Sequence, residues 1–170
     1  YAAEMVHDGD CIQLGFGGIP NAIGFELMNR HDLGIHTEQI GASMAHMIQS
    51  GVVTNRYKNL DRGWSVGAFI IADNFTYNYV NNHPRIMMRR GRYTNDPMVI
   101  AQQDNMVSIN AALQIDLTGQ VAAEALGHIQ FSGTGGAFCF AYGALHSKGG
   151  KGILAFQAST KKGVSKISSQ

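Results

Sequence analysis

The sequence predicts an α/β fold: an open, mostly parallel sheet flanked by helices. Strand-like apolar runs alternate with segments of helical spacing along the chain, which is the pattern of strand–helix–strand units. Glycine-rich turns at 15–18 and 133–136 lead into helical segments, as the turns of such units do. Glycine makes up 21 of the 170 residues, well above the usual ~7%, so close backbone approaches are expected.

Taken in order, residues 1–7 read as the end of a helix, closed by the turn 8–10, and residues 11–17 as a short apolar strand. Residues 17–30 read as a helix, with Pro20 near its start, where the missing N–H costs nothing, and Ile19, Ile23 and Leu27 on one face. A strand is expected at 33–38. It is followed by a helix at 42–51 with Met44, Met47 and Ile48 on one face and Gly51 as its stop. Residues 65–72 read as a strand, 74–84 as a helix ended by Pro84, and 85–90 as a strand. Residues 95–105 read as a helix capped by Asn95 or Asp96. Strands at 106–117 and 120–127 pair around Thr118 and Gly119. Residues 131–145 run from a glycine-rich loop into a helix, 152–159 form a strand, and 166–170 begin another.

Composition narrows the function. The chain is 45% hydrophobic and 15% charged, which fits a globular domain rather than a disordered one. A net charge of +1 argues against a strongly basic nucleic-acid binder. Cys11 and Cys139 are far apart, which fits a reducing, cytoplasmic compartment. No apolar run approaches the ~20 residues of a membrane span. The seven histidines form no metal-ligand spacing, so no metal is expected. The chain starts at Tyr1 inside an apparent helix and stops in an apparent strand. It is expected to be part of a longer protein.

In parallel α/β folds ligands sit beyond the carboxyl ends of the strands. Three features fall at such ends: Glu38, the 15–18 loop and the 133–136 loop. Neither loop matches a complete phosphate-binding motif, but both offer backbone N–H groups at helix starts, suited to a phosphate or an oxyanion. Glu38 closes an apolar run, which is a poor place for a carboxylate. It is either a helix N-terminal glutamate favoured by the dipole or a covalent nucleophile. After Glu124 the chain has no acidic residue and five lysines, Lys148, Lys151, Lys161, Lys162 and Lys166. They are either a solvated face or an anion site.

The runs GFGGIPNAI, DLGIHTE, GVVTN, NDPMVIAQQDNMVSIN, DLTGQVAAE, SGTGG and SKGGKGI, in this order and spacing, resemble the acetyl-CoA hydrolase/transferase family. The resemblance covers nearly the whole chain. It implies a CoA-transferase (NagB/RpiA-like) domain, here residues 1–170 as a partial C-terminal domain. A similar N-terminal domain and the extreme C-terminus would lie outside it, and the protein would form a homo-oligomer. It further implies that Glu38 is the nucleophile and that Asn95 and Gly136 serve the oxyanion. Gly15, Phe16, Gly17, Gly18, Ile19, Leu113, Gly136 and Lys161 would contact coenzyme A. The implied reaction moves CoA from a butyryl- or 4-hydroxybutyryl-type thioester to a carboxylate such as acetate, through a glutamyl-CoA thioester. CoA is then a substrate, and no prosthetic group is implied. Acyl-CoA hydrolysis and a non-catalytic CoA-binding or nucleotide-binding module are the alternatives. Ala137, Cys139, Arg92 and Gln39 depart from the family pattern at positions expected to border the acyl pocket.

Overall fold

The computed structural model describes residues 1–169. Its elements run β1 (Cys11–Leu14), α1 (Gly18–Glu26), β2 (Gly34–Ile35), β3 (Gln39–Ile40), α2 (Ala42–Gln49), β4 (Ser65–Gly67), β5 (Phe69–Ile70) and α3 (Asn74–Val80). There follow β6 (Ile86–Met88), α4 (Gly91–Thr94), α5 (Pro97–Ile100), β7 (Met106–Asn110), β8 (Gln114–Asp116) and β9 (Val121–Ala122). The last are β10 (Ala125–Leu126), β11 (Ile129–Gln130), α6 (Ala137–His146), β12 (Lys151–Leu154) and β13 (Ile167–Ser168).

The central sheet has the order β12-β7-β1-β2 and every pairing in it is parallel. A parallel bridge from His36 to Val66 links it to the parallel pair β4–β6, and β3 pairs parallel with β5. The expected open, mostly parallel sheet is therefore present. Side chains alternate across it, as a two-residue period requires. Ile12, Leu14, Val107 and Ile109 join Leu27, Met44 and Met47 in one core, on the side where α1 packs on α2. Cys11 and Met106 join Ile100, Phe140 and Ala144 in a second core, where α5 packs on α6. Sealing a side chain of this size from water contributes about 1.5–3 kcal/mol.

Several elements are shorter than the sequence predicts, each for a local reason. The first expected helix is a single 3₁₀ turn, Ala2–Met5. The 33–38 strand stops at Ile35 because side chains take over its edge. Asn55 Oδ1 accepts from Ile35 N (2.8 Å), and buried Lys58 donates Nζ to Ile35 O (2.9 Å). The 65–72 strand breaks at Ala68, where Ala68 N and Phe69 N both donate to Glu38 O (2.8 and 3.1 Å). Asp96, not Asn95, caps the 95–105 helix, accepting from Met98 N, and that helix ends at Ile100. Beyond it, Gln103 turns away to hold the 59–60 loop, its Oε1 accepting from Asn59 N and Leu60 N. The 106–117 strand divides into β7 and β8, which lie in different sheets; β8 and β9 do pair antiparallel across the Thr118–Gly119 turn. Residues 125–130 form a hairpin of their own. The last expected strand survives as β13, and its final residue, Gln170, lies outside the described residues. No helix among the described residues is long and apolar enough to cross a membrane.

Candidate active site

The carboxyl ends of β1 and β7, with the 38–39 segment, frame a cleft of about 180 Å³. Its walls include Gly15 and Phe16, Glu38 with Gln39, Phe69, Asn110, Glu124 and the 132–137 loop. A second cleft of about 290 Å³ shares Gly15, Phe16 and Gln39 with the first and continues past Gly17 and Gly18.

Glu38 lies in neither β2 nor β3. Its backbone is pinned by the two N–H groups on its carbonyl, while its side chain is left half-buried at the cleft. The neighbours are tied down as well: Thr37 Oγ1 donates to Gln39 O (3.0 Å) and Gln39 Nε2 to Ile71 O (2.7 Å). Helix α2 starts later, with Gly41 as its N-cap and no acidic residue in its first turn. The helix-dipole explanation of Glu38 therefore falls.

Asn95 closes α4 and reaches across to donate Nδ2 to Glu38 Oε1 at 2.7 Å. The other carboxylate oxygen faces Gly136. A Cβ built there would stand 2.7 Å from Glu38 Oε2 and 2.8 Å from Asn95 Nδ2, so any side chain at 136 would displace one or both of these groups. Gly17, the N-cap of α1, has φ +117°, a conformation that side chains rarely adopt. None of the ion pairs among the described residues involves Glu38. Its contacts are a neutral amide and bare backbone.

Of the predicted site residues, Glu38, Asn95, Gly136, Gly15 and Phe16 thus come together, with Gly17 and Gly18 in the adjoining cleft. Ile19, Leu113 and Lys161 line neither cleft. Ile19 is the second residue of α1, Leu113 donates its N–H to Ala122 O (2.9 Å), and Lys161 is exposed in the 160–164 turn. Lys148 and Lys151 lie at the opposite, amino end of the sheet, where Asn105 N donates to Lys148 O and Lys151 Nζ donates to Met5 O. Lys161 and Lys162 are exposed and line neither cleft.

Some residues of the site carry no motif. Gln13, Ser108 and Asn110 form a buried polar cluster on the sheet: Gln13 Nε2 donates to Asn110 Oδ1 (3.0 Å) and Ser108 Oγ to Gln13 Oε1 (2.7 Å). Gln13 and Asn110 line the cleft. The available signal is a polar residue at alternate positions of otherwise apolar runs, Cys11–Leu14 and Met106–Asn110. His36 is buried, with Nε2 3.0 Å from Thr94 O. Burial, aided by the charge of Lys58, pushes its pKa down to about 4, so the ring is neutral.

Residues 73–170 match the acetyl-CoA hydrolase/transferase C-terminal domain. The chain belongs to the acetyl-CoA hydrolase/transferase family. Family relatives agree. Over 96% of its length the chain is 44% identical to the succinyl-CoA:cyclohexane-1-carboxylate CoA transferase of Geobacter metallireducens. Over 97% it is 43% identical to the 4-hydroxybutyrate coenzyme A transferase of Clostridium kluyveri. It spans 37% and 39% of the lengths of these two relatives. The crystal structure of RipA from Yersinia pestis superposes with a TM-score of 0.95 at 47% identity, covering 99% of this chain and 38% of that one.

Proposed function

We propose that the protein containing this chain is a CoA-transferase that uses Glu38 as a covalent nucleophile. Its substrates are a short-chain acyl-CoA, butyryl- or 4-hydroxybutyryl-CoA, and a carboxylate such as acetate. The observation that carries the reading is the Asn95–Glu38–Gly136 contact: a carboxylate at a cleft, positioned by a neutral donor and uncommitted to any cation. The family membership and the CoA-transferases among its relatives support the same reading.

In the first step a Glu38 oxygen attacks the thioester carbonyl. The Asn95 amide has two N–H bonds; one already serves Glu38, and the second, with the Gly136 N–H, is the donor set for the oxyanion. Neutral donors stabilise that charge without tying up the nucleophile in a permanent ion pair. The C–S bond breaks, leaving an acyl-glutamyl anhydride and CoA thiolate. The thiolate then attacks the Glu38 carbonyl carbon and the donor acid leaves, giving glutamyl-CoA. An incoming carboxylate takes the CoA by the same steps in reverse. A further domain of the same subunit would close the cleft and exclude water, so the 170-residue chain alone is expected to give no turnover.

The test uses the full-length protein. Incubation with butyryl-CoA and no acceptor should leave CoA on Glu38 as a thioester, reducible by borohydride and released by hydroxylamine. Glu38→Gln should fold and lose both labelling and turnover. Thioester loss at the same rate with and without acetate would make the enzyme a hydrolase. CoA binding without label or turnover would make it a binding module.

A further inference from the structure

We propose that Thr94 and His36 are positioning residues that aim the Asn95 amide at the Glu38 carboxylate. The proposal rests on Glu38 being the nucleophile.

Glu38 and Asn95 are 57 residues apart, on different elements, yet their side chains meet at 2.7 Å. Asn95 has to present nitrogen, not oxygen, to the carboxylate. The two ends of an amide have nearly the same shape, so shape does not decide this. The Glu38 carboxylate, which only accepts, selects Nδ2, and the Thr94 hydroxyl anchors the other end of the amide, donating to Asn95 Oδ1 at 2.9 Å. With Oδ1 held by a donor, Nδ2 is turned to Glu38. Remove the hydroxyl, and Oδ1 loses its anchor, so the amide is free to swing away from the carboxylate.

Thr94 is itself fixed from the segment between β2 and β3 that carries the nucleophile. It is fully buried, and its carbonyl lies 3.0 Å from His36 Nε2. A carbonyl only accepts, so Nε2 holds the ring proton and Nδ1 does not. His36 Nδ1 is buried with no partner among the described residues. That is costly in a core, and an apolar side chain would avoid it. The ring makes one hydrogen bond, which ties the side chain two residues before Glu38 to the backbone one residue before Asn95. Tyr93 and Phe140 flank the ring, with centroids at 5.9 and 6.2 Å. Tyr93 is anchored in turn, its hydroxyl donating to Asp61 Oδ2 at 2.7 Å. The nucleophile and its amide partner are therefore braced against each other behind the cleft.

The test is single-turnover loading of CoA onto Glu38 in the full-length protein, measured beside CoA affinity and thermal unfolding. Thr94→Val keeps the shape and removes the donor. It should slow loading by about 100-fold, the effect of a ~1 Å misplacement. kcat should fall in step while CoA affinity and the unfolding temperature hold. Thr94→Ser should recover loading to within several-fold. His36→Gln, which returns an N–H near the Nε2 position, should recover part of what His36→Leu loses. If His36→Leu does not fold, the Thr94 pair decides alone. Wild-type loading by Thr94→Val overturns the proposal. So does a loss of stability and CoA affinity together that Thr94→Ser fails to repair. A wild-type protein that never labels at Glu38 overturns the nucleophile assignment first, and this proposal with it.

Discussion

Residues 6–110, joined by α6 and β12, are built differently from the rest of residues 111–169. In the first region β1, β4 and β7 are buried along their whole length and pair in parallel. In the second, β9, β10, β11 and β13 are two residues long and partly or wholly exposed, and two of their pairings are antiparallel. Glu38 and Asn95 come from the first region. Leu113 and Lys161, expected to touch CoA, come from the second. Gly136 stands where the chain returns to the first region through α6. The division is physical. Placing reacting groups demands a precision of a fraction of an ångström, which the packed first region supplies; the expected CoA contacts fall in both regions, Gly15, Phe16, Gly17, Gly18 and Ile19 in the first and Leu113 and Lys161 in the second.

Three perturbations sharpen this contrast. The largest effect is expected at the junction. Gly136→Ala drives a methyl into Glu38 Oε2 and Asn95 Nδ2, so turnover should drop by at least ~100-fold while the sheet keeps its stability. Steady-state kinetics with a melting curve would check this, and an active Gly136→Ala enzyme would remove Gly136 from the oxyanion site. The second effect belongs to the packed region. His36 takes up a proton near pH 6.5 when unfolded but only near 4 when folded. Stability is then highest above pH 6.5 and falls as pH drops through that window, by on the order of 3 kcal/mol in all. Urea midpoints at pH 7, 5.5 and 4.5 would show the slope, and His36→Gln should flatten it. The smallest effect is expected in the outer region. Lys161→Ala should weaken CoA binding by no more than about fivefold, with the difference fading at high salt. Equal affinity for both proteins at low salt would return Lys161 to the solvated surface.

The same contrast explains what could be read from the sequence. The parallel sheet was legible because Cys11–Leu14 and Met106–Asn110 are compact buried runs between turns. Glu38 stood out because a carboxylate is unusual at the end of such a run, but its role as nucleophile rests on the family resemblance and not on its position. The failures cluster around it. The 33–38 and 65–72 runs read as continuous strands, yet the first stops at Ile35, where Asn55 and Lys58 take its edge, and the second breaks where Ala68 and Phe69 fold onto the Glu38 carbonyl. Local pattern yields at a site that must hold an irregular backbone. Thr94 and His36 were not legible as partners, because their link joins residues 58 apart by one backbone carbonyl and leaves no spacing to read. In the outer region two-residue strands carry too few side chains to show a period at all.

The hydrogen bonds that aim Glu38 come from Asn95 and from the backbone of Ala68 and Phe69. The side chains of Phe16, Phe69 and Ala137, which wall the same cleft, take no part in that set. Attack geometry and pocket shape are therefore encoded by separate groups of atoms. On the proposed function, wall residues can be exchanged to suit a new acid without rebuilding the reaction centre. Such modularity would let one scaffold serve acids as unlike as the alicyclic and hydroxylated ones named in the two bacterial relatives.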